Sequence, residues 1–297
     1  MLASLRLVVL AALTVATPAS LLSACGGSAT SAPDAPSGAS LVASSDDCDD
    51  NWGNDGGVRV CETRTVALDG GTLMLNAEPN GSIDVSTWDR DGIEIQAHVK
   101  AWAMTEAEAQ RLVESVEVEQ RGTRIRTRLP ERTRQNDGRR QAWASVSYEV
   151  LVPRDAELDL RTVNGGIDVD GVAGSLQLSS VNGGLELIRV GGRVDGQTVN
   201  GPVRVELIDA PTDGLSLRTT NGPVTLDIPD DLSAEVDART SIGPVSIQGL
   251  PLTDDACEDK ETSYAPCLNG RVVGTLGRGG PALRLRTTNG PIALRGR

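Results

Sequence analysis

The second half of this chain repeats an Asn-Gly pair with alternating apolar and polar residues on both sides. The copies are Val163-Asn164-Gly165-Gly166-Ile167, Val181-Asn182-Gly183-Gly184-Leu185 and Val199-Asn200-Gly201-Pro202-Val203. They continue as Thr220-Asn221-Gly222-Pro223-Val224 and Thr288-Asn289-Gly290-Pro291-Ile292. Ser241-Ile242-Gly243-Pro244-Val245 keeps the glycine without the asparagine, and Glu78-Pro79-Asn80-Gly81-Ser82-Ile83 is an early outlier. The asparagines step by 18, 18 and 21 residues, and Gly222 to Gly243 is 21 again. A near-fixed period of this size marks an array of stacked units.

Asn and Gly tolerate the positive φ of tight turns. After each turn the pattern has period two, as in Ile167 and Val169 against Asp168 and Asp170, which predicts a half-buried strand. Leu176 with Leu178, and Leu215 with Leu217, predict second strands between the turns. A unit of two strands and two turns cannot bury its own apolar face, but stacking at about 4.8 Å gives a continuous core. Residues 154–250 contain no Phe, Tyr or Trp, which suits a thin core of Val, Leu and Ile. The expected fold is all-β: a β-solenoid over 154–297 with two strands per coil of about 18–21 residues. The rival is an antiparallel meander, because Asn-Gly is also the favoured hairpin turn. Even spacing and the lack of long polar loops favour the stack.

The first half, 48–153, has the pattern of a β-rich cap. Strands are expected over 65–75, 83–85, 93–99, 123–129 and 144–152. One helix is expected over 106–115, after the capping box Thr105-Glu106-Ala107-Glu108. Core packing is the expected job of at least two of Trp52, Trp88, Trp102 and Trp143. A stapled loop is expected over 254–269. The last strand, 291–294, is expected to leave an open edge guarded by Arg295 and Arg297.

The leader has the layout of a processed export signal: Arg6, an apolar run, then Leu22-Ser23-Ala24-Cys25. It resembles the lipobox of bacterial lipoproteins, which implies a signal over 1–24, acylation of Cys25 and a flexible tether over 25–47. By analogy with lipoprotein sorting, Gly26 after the cysteine favours the outer membrane. The remaining cysteines, Cys48, Cys61, Cys257 and Cys267, form an even set in an exported chain and predict disulfides. Three pairings are open; Cys48–Cys61 and Cys257–Cys267 are the nearest neighbours in sequence. No C-x-x-C is present and His98 is the only histidine, which argues against zinc. The net charge of −13 argues against nucleic acid as a main partner. A run of arginines, 121 to 140, goes the other way. Arg124, Arg126 and Arg128 alternate with Ile125, Thr127 and Leu129, the pattern of a strand's solvent face.

Several segments resemble a bacterial candidate-adhesin family catalogued as a domain of unknown function. They are Asn80 to Val85 with Trp88-Asp89, the helix after Thr105, and Tyr148 to Pro153. The runs 158–169 and 283–294 complete the match. The resemblance implies a β-solenoid on an exported or membrane-attached chain and carries over no catalytic residue.

The chemistry-bearing residues are few. His98 lies on a predicted strand beside Gln96 and Lys100 and is expected to be a surface side chain, not a base. The acidic stretch 46–62 echoes a calcium loop, with Glu62 at position twelve, but starts on Asn51 and lacks flanking helices. Asp168, Asp170, Asp195 and Asp227 could line one sheet face and serve sugar cleavage, or simply solubility. No cofactor and no metal are expected. The expected function is a lipid-anchored, non-catalytic envelope module that binds an envelope protein or polysaccharide. The alternatives are a signalling or envelope-stress accessory beside a membrane partner, and a carbohydrate-active enzyme.

Overall fold

The fold is described from a computed structural model over residues 43–44, 56–130, 142–253 and 270–297, all within the compact unit Ala39–Arg297. Cys25, Cys48, Cys257, Cys267, Trp52, the tether and the loop 254–269 lie outside the described residues. Among the described residues the strands form two sheets of eleven strands each, with the helix Glu106–Ser115. The chain is all-β at that level.

Alternating burial makes the strands. In Ile167–Asp170 the first and third residues are buried, and Leu176–Ser179 and Val224–Ile228 repeat the pattern. Sheet A sets Ile83–Thr87, Ile167–Asp170, Leu185–Val190, Val203–Leu207 and Val224–Ile228 side by side, all parallel. Sheet B does the same with Thr72–Asn76, Glu157–Arg161, Leu176–Ser179, Val194–Gln197 and Leu215–Arg218. The chain therefore alternates between sheets, one strand in each. Pairing along this series is parallel, whereas a meander of hairpins would be antiparallel. The inner faces of both sheets form one apolar cluster, and each fully buried Leu, Ile or Val in it contributes about 1.5–3 kcal/mol.

Some expectations need correction. The stretch 65–75 is two strands, Val58–Leu68 and Thr72–Asn76, because Gly70 turns the chain at φ 83° and sends the second strand to the other sheet. The last strand, Ile292–Gly296, is not an edge. It lies between Val224–Ile228 and Val245–Gln248, and the latter is the edge. Spatial order thus departs from chain order: the Asn289 copy stacks on the Asn221 copy, and the Gly243 copy comes after it. Trp88, Trp102 and Trp143 are half-buried and none joins the core. Core positions are apolar on inward strand faces, whereas Trp102 and Trp143 occupy outward positions directly opposite each other.

The helix follows its capping box. Thr105 caps it by accepting a hydrogen bond from the Glu108 amide at 3.3 Å, and Ala109 and Val113 are buried beneath it. Its last turn has no basic residue of its own. Arg64 supplies one from the neighbouring strand, donating to the carbonyls of Val113 at 3.0 Å and Val116 at 2.5 Å. A cation there complements the negative end of the helix dipole. Arg64 also holds Glu62 at 2.7 Å.

Candidate functional site

The Asn-Gly turns lie one above another along one border of the sheets. Asn80, Asn164, Asn182, Asn200, Asn221 and Asn289 bridge in sequence, each to the next. Every side-chain amide after the first donates to the preceding asparagine's Oδ1, at 2.8–2.9 Å. Ile242 continues the column in the last copy, is 68% exposed, and ends the amide ladder there.

The glycines are needed for a reason the turn alone does not give. A Cβ on Gly165 would lie 2.1 Å from the carbonyl oxygen of Gly81, and one on Gly183 would lie 1.9 Å from that of Gly165. The same contact repeats at Gly201, Gly222, Gly290 and Gly243. From Asn164 onward, two residues before each asparagine of the column stands a buried hydroxyl: Thr162, Ser180, Thr198, Thr219 and Thr287, with Thr240 in the degenerate copy. Each donates to the glycine carbonyl of the turn beneath it, as Thr198 does to Gly183 at 2.8 Å. The Asn-Gly repeat read from the sequence does not include this column. Its signal was a Thr or Ser two places ahead of every asparagine of the column from Asn164 onward.

The outer face of sheet A carries a row of acids. Register sets Glu149, Asp84, Asp168 and Glu186 on four adjacent strands, about 4.8 Å apart. Asp168 is pushed up to about 6 from its ordinary 3.8, first by desolvation at the sheet face. The flanking Asp84 and Glu186 carboxylates add to this, as does a hydrogen bond that the protonated acid shares with Asp84. Asp170 lies on the same strand and is paired with Arg189, a residue at φ 54° in the bulge beside it. A shallow depression over this row is lined by Asp84, Asp168, Asp170, Glu186 and Arg189.

The carboxylates expected from sequence to share a face are thus divided. Asp168, Asp170 and Asp227 lie on sheet A, and Asp195 lies on sheet B. The structure adds Asp84, Glu149 and Glu186, whose alignment depends on register between strands far apart in sequence.

The sign of the pH effect follows from the direction of the Asp168 shift. An acid held above its unfolded value binds its proton more tightly when folded. Its favourable contribution is complete below about pH 4 and is lost as pH rises through about 6. The residue keeps more than a third of its surface open to water, so screening leaves an effect on the order of 0.5 kcal/mol. Asp168→Asn is expected to flatten the stability difference between pH 4 and 7 relative to the parent, read from urea midpoints at each pH.

His98 stands beside the acidic row. Its Nδ1 is 3.0 Å from Thr63 Oγ1 and its Nε2 is 3.6 Å from Glu149 Oε1, on the outer face with Gln96 and Lys100. Glu62 is held by Arg64, and the acidic residues before it lie outside the described ones. Among the described residues no group of three or more His, Cys, Asp or Glu is arranged to hold a metal ion. Arg124, Arg126 and Arg128 are exposed on the strand Arg124–Arg128, with Ile125 and Thr127 buried between them.

The chain matches no family model and no curated protein. Among solved structures it is similar to a candidate cell adhesion protein from Clostridium sporogenes, at 11% identity and TM-score 0.40, over 79% of this chain and 100% of that one. A candidate adhesin from Bacteroides fragilis is 8% identical at TM-score 0.29, over 80% of this chain and 97% of that one. One from Parabacteroides distasonis is 11% identical at TM-score 0.24, over 79% and 96%. At these values the likeness carries no argument about what this chain does.

Proposed function

We propose that this chain is a non-catalytic, adhesin-like binding module of the bacterial envelope, built as a β-solenoid and tethered through acylated Cys25. The observation that carries the reading is the unbroken column from Asn80 to Asn289. In-register stacking of this kind makes a stiff body whose outer side chains stand in straight rows at a fixed pitch. Such rows suit repeated weak contacts with an extended partner, where affinity comes from many contacts held at once. Among the described residues no helix is long and apolar enough to cross a membrane, and the tether supplies the anchor in this reading. Disulfides Cys48–Cys61 and Cys257–Cys267 belong to the same proposal, each closing a short loop worth about 3 kcal/mol.

The test is retention of whole cells or envelope polysaccharide on the immobilised protein, with intact-mass measurement of the membrane-extracted chain. Binding together with a mass increment on Cys25, lost in Cys25→Ser, supports the reading. An unmodified soluble chain that retains neither sinks it.

Asp168 favours a second reading, a carbohydrate-active enzyme. Retaining glycosidases use two carboxyls about 5–5.5 Å apart as acid and nucleophile, and register sets Asp168 beside Glu186 on the next strand of the acidic row, about 4.8 Å away. Turnover of a glycan panel that disappears in Asp168→Asn would establish it and overturn the non-catalytic one.

A further inference from the structure

Sheet B bears on its outer face a straight row of side chains set by register across nine adjacent strands. Six of them are arginines: Arg126, Arg161, Arg218, Arg286, Arg239 and Arg271. Asn76 fills the place between the first two, and Ser179 and Gln197 fill the places between Arg161 and Arg218. No carboxylate stands among these nine; Glu119, opposite Arg126 on the next strand, closes the row and is held by Arg128 at 2.8 Å and Arg121 at 3.7 Å. At about 4.8 Å per strand it runs for about 38 Å.

The adjacent row, two residues earlier on each strand that runs parallel to Glu157–Arg161, orients part of the track. Asp159 grips Arg161 through two bonds of 2.9 Å. Asp237 takes Arg239 at 2.8 Å and Arg286 at 2.5 Å. Its carboxyl is held below the usual range: burial works against that, and the two guanidiniums outweigh it. The side chains of Arg126, Arg218 and Arg271 are exposed and make no hydrogen bond or ion pair with the described residues.

We propose that this row is a binding track for a linear anionic polysaccharide, one bearing carboxylate or sulfate groups along its length. The proposal rests on the adhesin-like reading and names the partner chemistry. The guanidinium fork matches carboxylate and sulfate oxygens in a bidentate way, and arginines already fixed by Asp159 and Asp237 lose less freedom on binding. Asn76, Ser179 and Gln197 give hydrogen-bonding partners for sugar hydroxyls where the charge is interrupted. The row is one side chain wide and straight, which suits a thin chain lying along the stack.

The net charge of −13 does not oppose this locally. The acidic row of Asp84, Asp168 and Glu186 faces outward on the other sheet, across a core about 10 Å thick. Single-stranded nucleic acid is disfavoured, because its bases need aromatic platforms and the row has none.

The test titrates the full chain with polygalacturonate, using neutral dextran, anionic phospholipid vesicles and single-stranded DNA as competing probes. Binding to polygalacturonate over dextran is expected, weakening as salt rises. The triple change Arg126→Ser, Arg218→Ser, Arg271→Ser is expected to cost about tenfold in affinity and to lower the slope of log affinity against log salt by about two. Arg218→Ser alone is expected to move both in the same direction. The control Arg204→Ser, Arg278→Ser, Arg295→Ser removes equal charge elsewhere and is expected to change affinity less than twofold. Equal losses in the two triple variants overturn the track, as does preference for vesicles or DNA. Retention of cells or neutral glycans without polygalacturonate binding also overturns it and leaves the adhesin-like reading standing.

Discussion

Gly183→Ala is expected to destabilise this protein by about 3–5 kcal/mol, close to the loss of the fold in a marginally stable domain. The added methyl would lie 1.9 Å from the Gly165 carbonyl oxygen and 2.4 Å from its carbon. Neither atom can step aside, because the same turn is hydrogen-bonded to its neighbour, with the Gly165 amide donating to the Asn182 carbonyl at 3.1 Å. The φ of Gly183 is outside the left-handed region, so the damage is steric crowding between stacked turns and not backbone strain. Gly70→Ala separates the two causes. Gly70 has φ +83° and open space where a Cβ would go, so its substitution carries only the left-handed penalty of about 1–2 kcal/mol. Urea unfolding of both variants checks the order. A Gly183→Ala midpoint equal to that of Gly70→Ala would show that the turns are not in contact.

Thr198→Val has the second-largest expected effect on stability, about 1–2 kcal/mol. Thr198 is 4% exposed, and its hydroxyl donates to the Gly183 carbonyl at 2.8 Å. Valine nearly keeps the volume and removes the donor, leaving a carbonyl inside the stack without that partner. Thr198→Ser keeps the hydroxyl and is expected to recover most of the loss. That rescue distinguishes the hydrogen bond from the packing of the methyl group. Amide exchange at Gly201 and Asn182 would show where the stack opens, and protection unchanged from the parent in Thr198→Val would refute the assignment.

These two changes also mark how far the sequence could be followed. Alternation in residues such as Ile167 to Asp170 fixes which side chains turn inward, because strand period does not depend on the rest of the molecule. Thr105 and Glu108 announce the helix, whose capping is local to four residues. The row of asparagines was visible as a period. Its hydroxyl companion was present in the same letters but gains meaning only when one turn is set on another. The acidic row on sheet A and the arginine row on sheet B were hidden for a stronger reason. Asp84 and Asp168, or Arg218 and Arg286, become neighbours through pairings between residues dozens of positions apart.

What the letters alone determined is the repeating unit: two short strands, an Asn-Gly turn and an apolar inner face. Tertiary structure decided the order in which the units lie, with the Asn289 copy inserted ahead of the Gly243 copy and the last strand enclosed on both sides. It also decided that Arg64 caps a helix from another strand. The physical reason is the same in each case. Periodicity and capping are set by the nearest few bonds, whereas stacking order and side-chain rows are set by which surfaces bury each other, and many orders satisfy one local pattern.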